Sequence, residues 1–126
     1  AALLPLDSDR SARRIRDIVR AKLGVTVGVI VSDTFGRPWR KGLTDVAIGV
    51  AGIAGVVDLR GTEDALGRMM QVTEVCVADE LASTGELVMG KSNGVPVAVI
   101  RGGDPSWFRD SSMDEIVRPP SEDLFR

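Results

Sequence analysis

The feature that most constrains the fold is a run of apolar and β-branched residues that ends in a carboxylate. Residues 25–32 (VTVGVIVS) are nearly continuous in apolar character, which is typical of a strand buried on both faces. Asp33 and Thr34 follow at once. We therefore expect a buried strand with a carboxylate and a hydroxyl at its carboxyl end, where open α/β sheets form their ligand crevices.

Two amphipathic helices are predicted from apolar residues spaced three and four apart. The first follows the cap-type residues Ser8 and Asp9 and ends at Gly24. The second covers residues 75–89 and ends at Gly90. Glycine is the common residue just beyond a helix, so both ends are well marked.

Further strands are predicted between and after these helices. Residues 46–57 carry glycines at three-residue intervals, which would weaken a helix and favour strands with a bend or turn between them. Residues 68–73 are expected to return as a strand. Residues 95–101 (VPVAVIR) are expected to form another, whose start Pro96 places near a sheet edge. The expected fold class is α+β, with a mixed or antiparallel sheet and two principal helices.

The domain organisation follows from where apolar character stops. Residues 1–103 are expected to form the core. Residues 104–126 are more polar and contain Arg118 followed by two prolines, so a peripheral segment or linker is expected. The first residue is not Met, and we do not expect Ala1 to be the natural start.

Composition excludes several kinds of site. The chain has no His and one Cys, so it lacks a Ser-His-Asp triad, a Cys-His pair, a His-based zinc site and an internal disulfide. Cys76 is expected to be a small buried apolar residue. A net charge of −2 argues against a nucleic-acid partner. No apolar run reaches the roughly 20 residues of a membrane span, and no basic segment precedes the apolar start. We expect a cytoplasmic protein with no membrane partner.

The residues after the first strand suggest a site for a metal ion and an anion. Asp33 and Thr34 could hold Mg²⁺ or Mn²⁺ through hard oxygen ligands, although Asp33 could instead only open a turn. Residues 35–42 are expected to form a loop containing the cations Arg37, Arg40 and Lys41. Arg37 and Arg40 are hypothetical clamps for substrate anions; the alternative is an ordinary solvated loop.

A phosphate-loop pattern also occurs, in the wrong context. Gly85, Gly90, Lys91 and Ser92 fit G-x-x-x-x-G-K-[ST]. A phosphate loop follows a strand and opens a helix, whereas this segment is predicted to close a helix and open a strand. The negative end of a helix dipole does not suit phosphate, but a backbone carbonyl there would suit a cation.

Residues 118–119 (RP) and 122–125 (EDLF) look like the bacterial branch of the coenzyme F420-0:L-glutamate ligase family, and six earlier stretches, in chain order, resemble that family. They are SDTFGRPWR at 32–40, TDVAIG at 44–49, DLRG at 58–61, VTEVCVADE at 72–80, ELVMGK at 86–91 and PVAVIRG at 96–102. The resemblance implies an enzyme that uses GTP to attach L-glutamate to the deazaflavin precursor F420-0 through an acyl phosphate. It also implies a homodimer, in some members fused to a flavin-reductase-like domain.

The resemblance further implies site residues. Asp33 matches a divalent-metal carboxylate, and Thr34 matches a ligand of a second metal. Lys91 falls at another contact of that metal, where only its backbone carbonyl could serve as a ligand. The implied cofactors are Mg²⁺ or Mn²⁺, with K⁺ as a further candidate, and GTP as co-substrate. The implied GTP contacts are Met89, Gly90, Lys91, Ser92, Asn93, Gly94, Val95 and Pro96.

The resemblance covers the later portion of such a ligase. Further metal and nucleotide contacts of the family lie upstream of the stretch that matches Ala1, so this portion alone is expected to be inactive. Two rival functions stay open. One is a metal-dependent phosphohydrolase built on Asp33, and the other is a non-catalytic module that binds a nucleotide or a deazaflavin.

Overall fold

Two helices and a long β-hairpin carry most of the regular structure. The computed structural model describes residues 3–125; Ala1, on which the expectation about the natural start falls, lies outside them. The helices and strands, in chain order, are α1 (Ser8–Leu23), β1 (Val29–Arg37), β2 (Arg40–Ala51), β3 (Val57–Asp58), β4 (Glu74–Val75) and α2 (Val77–Met89). Single-turn 3₁₀ helices follow at Pro105–Trp107 and Met113–Glu115. This confirms the α+β fold class.

Strands β1 and β2 form an antiparallel hairpin that turns at Pro38 and Trp39. The expectation of a strand over 25–32, buried on both faces, is wrong: β1 begins at Val29, continues to Arg37 and is only partly buried. The predicted loop at 35–42 is the tip of this hairpin. β1 extends past Ser32 because its hydrogen bonds with β2 hold the following polar residues in an extended conformation. An apolar pattern alone would not assign these polar residues to a strand.

Helix α1 confirms the first predicted helix, with a different cap. The carboxylate of Asp7 accepts a hydrogen bond from Arg10 N at 2.7 Å, so Asp7 takes the capping role expected of Ser8 or Asp9. Gly24 ends the helix in the left-handed conformation, at φ 67°.

The outer edge of β2 is covered by side chains from both helices. Val50 N donates to Asp9 of α1 at 2.8 Å, and Ala47 N donates to Asp79 of α2 at 2.9 Å. Ser83 of α2 donates to a carbonyl of the same strand at 2.8 Å. These groups satisfy backbone atoms that an unpaired strand edge would otherwise leave open.

Helix α2 confirms the second predicted helix and carries its buried face on small residues. Val77, Ala78, Ala82 and Gly85 are buried. Ala78 joins a core cluster with three residues from β2 and the bend after it, namely Ala47, Val50 and Ile53. Small side chains let the helix approach the hairpin closely.

The C-terminal segment packs on this core. Three of its side chains, Trp107, Met113 and Ile116, lie against the core cluster. Ala54 N donates to Trp107 O at 2.7 Å. Residues 107–116 are therefore part of the packed structure, while the division of the chain at residue 103 stays a prediction.

The strands predicted at 68–73 and 95–101 are wrong. No strand forms over residues 68–73; the short strand β4 begins just after them, at Glu74, and pairs with β3. Residues 95–101 make no strand within the described chain, and Val97 and Val99 are exposed. β-branched sequence alone does not form a strand without a neighbour to complete its hydrogen bonds. The predicted strands with a bend over 46–57 are confirmed, since β2 and β3 flank a bend at 52–53.

No helix of residues 3–125 has both the length and the apolar character to cross a membrane.

Candidate functional site

A buried carboxylate on β2 is the centre of the candidate site. Asp45 lies opposite Thr34 of β1 in the hairpin register, so the two side chains share one face. Ser32, two residues earlier on that face, donates to Asp45 Oδ2 at 3.2 Å, and Thr34 Oγ1 donates to Oδ1 at 3.3 Å. Asp45 is only 6% exposed. A carboxylate this buried needs a cation or several donors to offset its lost hydration.

Lys91 supplies that cation. Its Nζ donates to Asp45 Oδ1 at 2.5 Å and to Thr34 Oγ1 at 2.8 Å. It also forms an ion pair with Glu86 Oε1 at 3.4 Å. The hydrogen bond to Asp45 and the two carboxylate charges raise the pKa of Lys91 above its ordinary value, so the ammonium stays charged.

The end of α2 positions Lys91. Gly90 adopts φ 61° and donates its N–H to Glu86 O at 2.8 Å. This conformation, which favours glycine, turns the chain sharply after Met89. The ammonium of Lys91 then lies beside the helix C-terminus, where the dipole favours a positive charge.

An open groove of about 500 Å³ adjoins this cluster. Its lining comes from β1, β2 and α2 and includes Arg37, Thr44, Asp79, Ser83 and Thr84. Arg37 is the cation among the described lining residues, and its Nε has no hydrogen-bond partner within residues 3–125. This Nε is also buried, so it is a donor without an acceptor in the wall of the groove.

The structure separates two of the predicted site residues. Asp33 lies opposite Val46, on the other face of the hairpin from Thr34, because side chains alternate along a strand. Its carboxylate is exposed and accepts the N–H of Thr34 at 2.8 Å. The sequence predicted that Asp33 would follow the end of a strand. The structure instead places it in the middle of β1.

The remaining predicted residues divide between the hairpin tip and the end of α2. Arg37 and Arg40 are partners across the hairpin turn, and Arg40 is exposed. Residues 91–94 form the expected turn after α2, so the expectation that this segment closes a helix is confirmed, whereas the expectation that it opens a strand is wrong. The roles of residues 89–96 in nucleotide binding and of Arg37 and Arg40 as clamps stay predictions.

Sequence reasoning missed Asp45 and Glu86 as members of the site. A usable signal was present on β2, where Asp45 shares one face with the small buried residue Ala47. An ionisable residue on the buried face of a strand indicates a side chain whose hydrogen-bonding groups have partners inside the protein.

The geometry does not fit a divalent ion held jointly by Asp33 and Thr34. Their side chains lie on opposite faces, and the Thr34 hydroxyl already contacts the Lys91 ammonium. Within residues 3–125, no group of three or more Asp, Glu, Cys or His side chains is placed to hold a metal ion. Divalent ions prefer several oxygen ligands, so these residues do not make such a site without further ligands. Metal binding by Asp33 and Thr34 stays a prediction.

Comparisons with known proteins identify the family of this chain. A family model described as F420-0:Gamma-glutamyl ligase matches residues 1–102. The chain is 47% identical over 124 residues to the coenzyme F420:L-glutamate ligase of Methanococcus maripaludis strain C7. It is 45% identical over 125 residues to the protein of the same name from Methanocaldococcus jannaschii. Each match covers 98% of this chain and 50% of the relative, so the chain spans about half the length of these curated relatives.

The class of protein is defined by these findings together: an α+β domain with a buried ion-paired carboxylate beside an open groove, related to ligases. More particularly, the chain belongs to the F420-0:gamma-glutamyl ligase family. This confirms the resemblance found in the sequence.

Proposed function

We propose that this chain is part of a ligase that joins L-glutamate to F420-0, the deazaflavin precursor of coenzyme F420, at the expense of GTP. The observation that carries the proposal is the match of two relatives named coenzyme F420:L-glutamate ligase, 45–47% identical across 98% of the chain. The proposal concerns the complete protein, because this chain spans about half the length of these relatives.

The proposed reaction has two steps. An oxygen of the precursor's carboxylate attacks the γ-phosphorus of GTP, GDP leaves, and an acyl phosphate forms. The α-amine of glutamate then attacks the acyl carbon, phosphate leaves, and the amine loses a proton to give the amide. Both steps need placed cations and aligned reactants more than a nucleophilic side chain.

The residues of this chain suit such chemistry. It has no His, and burial raises the pKa of Cys76 to about 11, so neither an imidazole base nor a reactive thiolate is on hand. Arg37 in the groove is assigned to clamp an anionic group of a substrate, with Arg40 at the hairpin tip as a second candidate. Residues 89–96 are assigned to contact the nucleotide.

Several parts of the proposal rest on the family resemblance alone. These are a requirement for Mg²⁺ or Mn²⁺ with Asp33 as a ligand, a contribution of K⁺, a homodimer, and fusion to a flavin-reductase-like domain. A cytoplasmic location is also proposed, as expected from the sequence. A membrane or nucleic-acid partner is not proposed.

The test is a mass-spectrometric assay of the complete protein with F420-0, L-glutamate and GTP. We expect a product heavier by one or more glutamyl residues, absent when GTP or glutamate is left out. GTP hydrolysis that is independent of glutamate would favour a phosphohydrolase instead. Absence of turnover, with melting unchanged by nucleotide, would favour a non-catalytic module.

A variant tests the groove. Arg37→Gln removes a charge-assisted hydrogen bond worth about 1.5–3 kcal/mol, so kcat/KM should fall about 10- to 100-fold. Arg14→Gln, on the exposed face of α1, is the matched control and should behave like the unaltered protein. Equal kcat/KM for both variants would remove Arg37 from the site.

A further inference from the structure

We infer that the ammonium of Lys91 is a built-in cation that occupies the position between Thr34 and Asp45, so that these two residues do not bind a divalent metal ion in this protein. The inference goes beyond the proposed function and does not depend on it, because counting metal ions needs no substrate.

The first ground is the number of oxygens around one nitrogen. Lys91 Nζ lies 2.5 Å from Asp45 Oδ1, 2.8 Å from Thr34 Oγ1 and 3.4 Å from Glu86 Oε1. Two carboxylates and a hydroxyl are the ligand types that Mg²⁺ and Mn²⁺ prefer. An ammonium has three N–H donors and no acceptor; two of these donors bind Asp45 and Thr34, and Glu86 adds an ion pair.

The second ground is burial. The side chain of Asp45 is 8% exposed and that of Glu86 22% exposed. The Lys91 side chain that contacts both carboxylates is more exposed than either, at 48%. A metal ion approaching Asp45 and Thr34 from solvent would have to displace a charged group that already neutralises the buried carboxylate. Ion and ammonium therefore exclude one another.

The third ground is the fixed origin of the lysine. Lys91 follows Gly90, whose positive φ of 61° and hydrogen bond to Glu86 O set the direction of the chain. Lys91 follows the C-terminal end of α2, where the helix dipole favours a positive charge. Its position is thus determined by the fold and not by a freely moving side chain alone.

The experiment counts Mn²⁺ bound per chain of the complete protein, from the loss of the free-ion signal in electron paramagnetic resonance. Lys91→Gln removes the ammonium and leaves an amide oxygen beside Asp45, Glu86 and Thr34. We expect this variant to bind one more Mn²⁺ per chain than the unaltered protein. Lys91→Arg keeps a cation and is the matched control, with an unchanged count.

Asp45→Asn gives an independent arm. In the unaltered background it should leave the Mn²⁺ count unchanged, whereas combined with Lys91→Gln it should abolish the extra ion. A lower count for Asp45→Asn alone would show that Asp45 is a metal ligand and would overturn the inference. An equal count for Lys91→Gln and the unaltered protein would overturn it as well. If Lys91→Gln does not fold, the Asp45→Asn measurement still decides.

Discussion

The contact between the start of α1 and strand β2 leaves no room for a side chain at Gly49. A Cβ added there would lie 2.5 Å from both the carbonyl carbon and the carbonyl oxygen of Ser8, and 2.6 Å from its Cβ. The obstacle is mostly backbone, which cannot rotate away as a flexible side chain would. Gly49→Ala must therefore push α1 and the hairpin apart.

The size of the effect follows from the distances. Ordinary contact begins at 3.4 Å, so the two elements must separate by about 0.9 Å, and overpacking of this kind costs about 1–3 kcal/mol. The same movement lengthens the 2.8 Å hydrogen bond from Val50 N to Asp9. A bond to a charged acceptor contributes about 1.5–3 kcal/mol. The expected loss of unfolding free energy is therefore about 2.5–6 kcal/mol.

The assay is thermal and urea unfolding of the complete protein, followed by circular dichroism. At about 2–4 °C per kcal/mol, this loss should lower Tm by roughly 10 °C. Gly36→Ala is the matched control in the same hairpin: its new Cβ would meet only Leu43 Cδ2, at an ordinary 3.7 Å, and Tm should change little. Asp9→Asn should cost less in the Gly49→Ala background than alone, because both changes weaken one contact.

The reasoning would be refuted by equal melting temperatures for Gly49→Ala and Gly36→Ala. Full additivity of Gly49→Ala and Asp9→Asn would refute its second part, since independent sites add and coupled sites do not.

Three further predictions concern ionisable groups. Cys76 has its pKa raised by burial from 9.0 to about 11, so at pH 8 its thiolate is about 100-fold rarer than in the unfolded chain; iodoacetamide should react correspondingly slowly before unfolding in urea, and equal rates would contradict this. Arg109 lowers the pKa of Glu115 below 4.5, so this carboxylate stabilises the fold above pH 4.5 and the benefit disappears as pH falls through the lowered value. Glu115→Gln should therefore lower the urea midpoint at pH 7 much more than at pH 3, and an equal loss at both would count against the pair. Arg60 lowers the pKa of Asp58 to about 2, so a carbon-13 titration should return it toward 3.8 in Arg60→Gln; an unchanged titration would assign the shift elsewhere.

The helices were predictable because their signals are local. Apolar spacing located α1 and α2, and the glycines at 24 and 90 marked both ends. The cap of α1 was misplaced by one or two residues, since Asp7, Ser8 and Asp9 are all capping types. Asp9 could not be recognised as a link to β2 because its partner, Val50, is 41 residues away.

The hairpin was less predictable because its limits depend on pairing. Polar residues such as Thr34 remain in β1 since the ladder to β2 holds them extended, and the apolar residues 95–101 make no strand where no described neighbour pairs with them. A strand is defined by its partner as much as by its own residues.

The candidate site was found in part. Thr34 and Lys91 were named from sequence, and the structure brings them within 2.8 Å. Asp45, which joins them, is 46 positions from Lys91, and no spacing rule connects residues across a hairpin and a helix. Asp33 was placed beside Thr34 because it is adjacent in sequence, but alternation along a strand sends adjacent side chains to opposite faces.

The side chains that cover the outer edge of β2 also decide how the sheet can grow. Asp9, Asp79 and Ser83 occupy backbone groups that a third strand would need on that side. Within residues 3–125, β1 has no strand on its other side. Over residues 45–50 of β2, any strand that enlarges this sheet, from the same polypeptide or from another molecule, must therefore add beside β1. The two helices thus block strand pairing at the covered edge of β2 and leave the edge of β1 available for it.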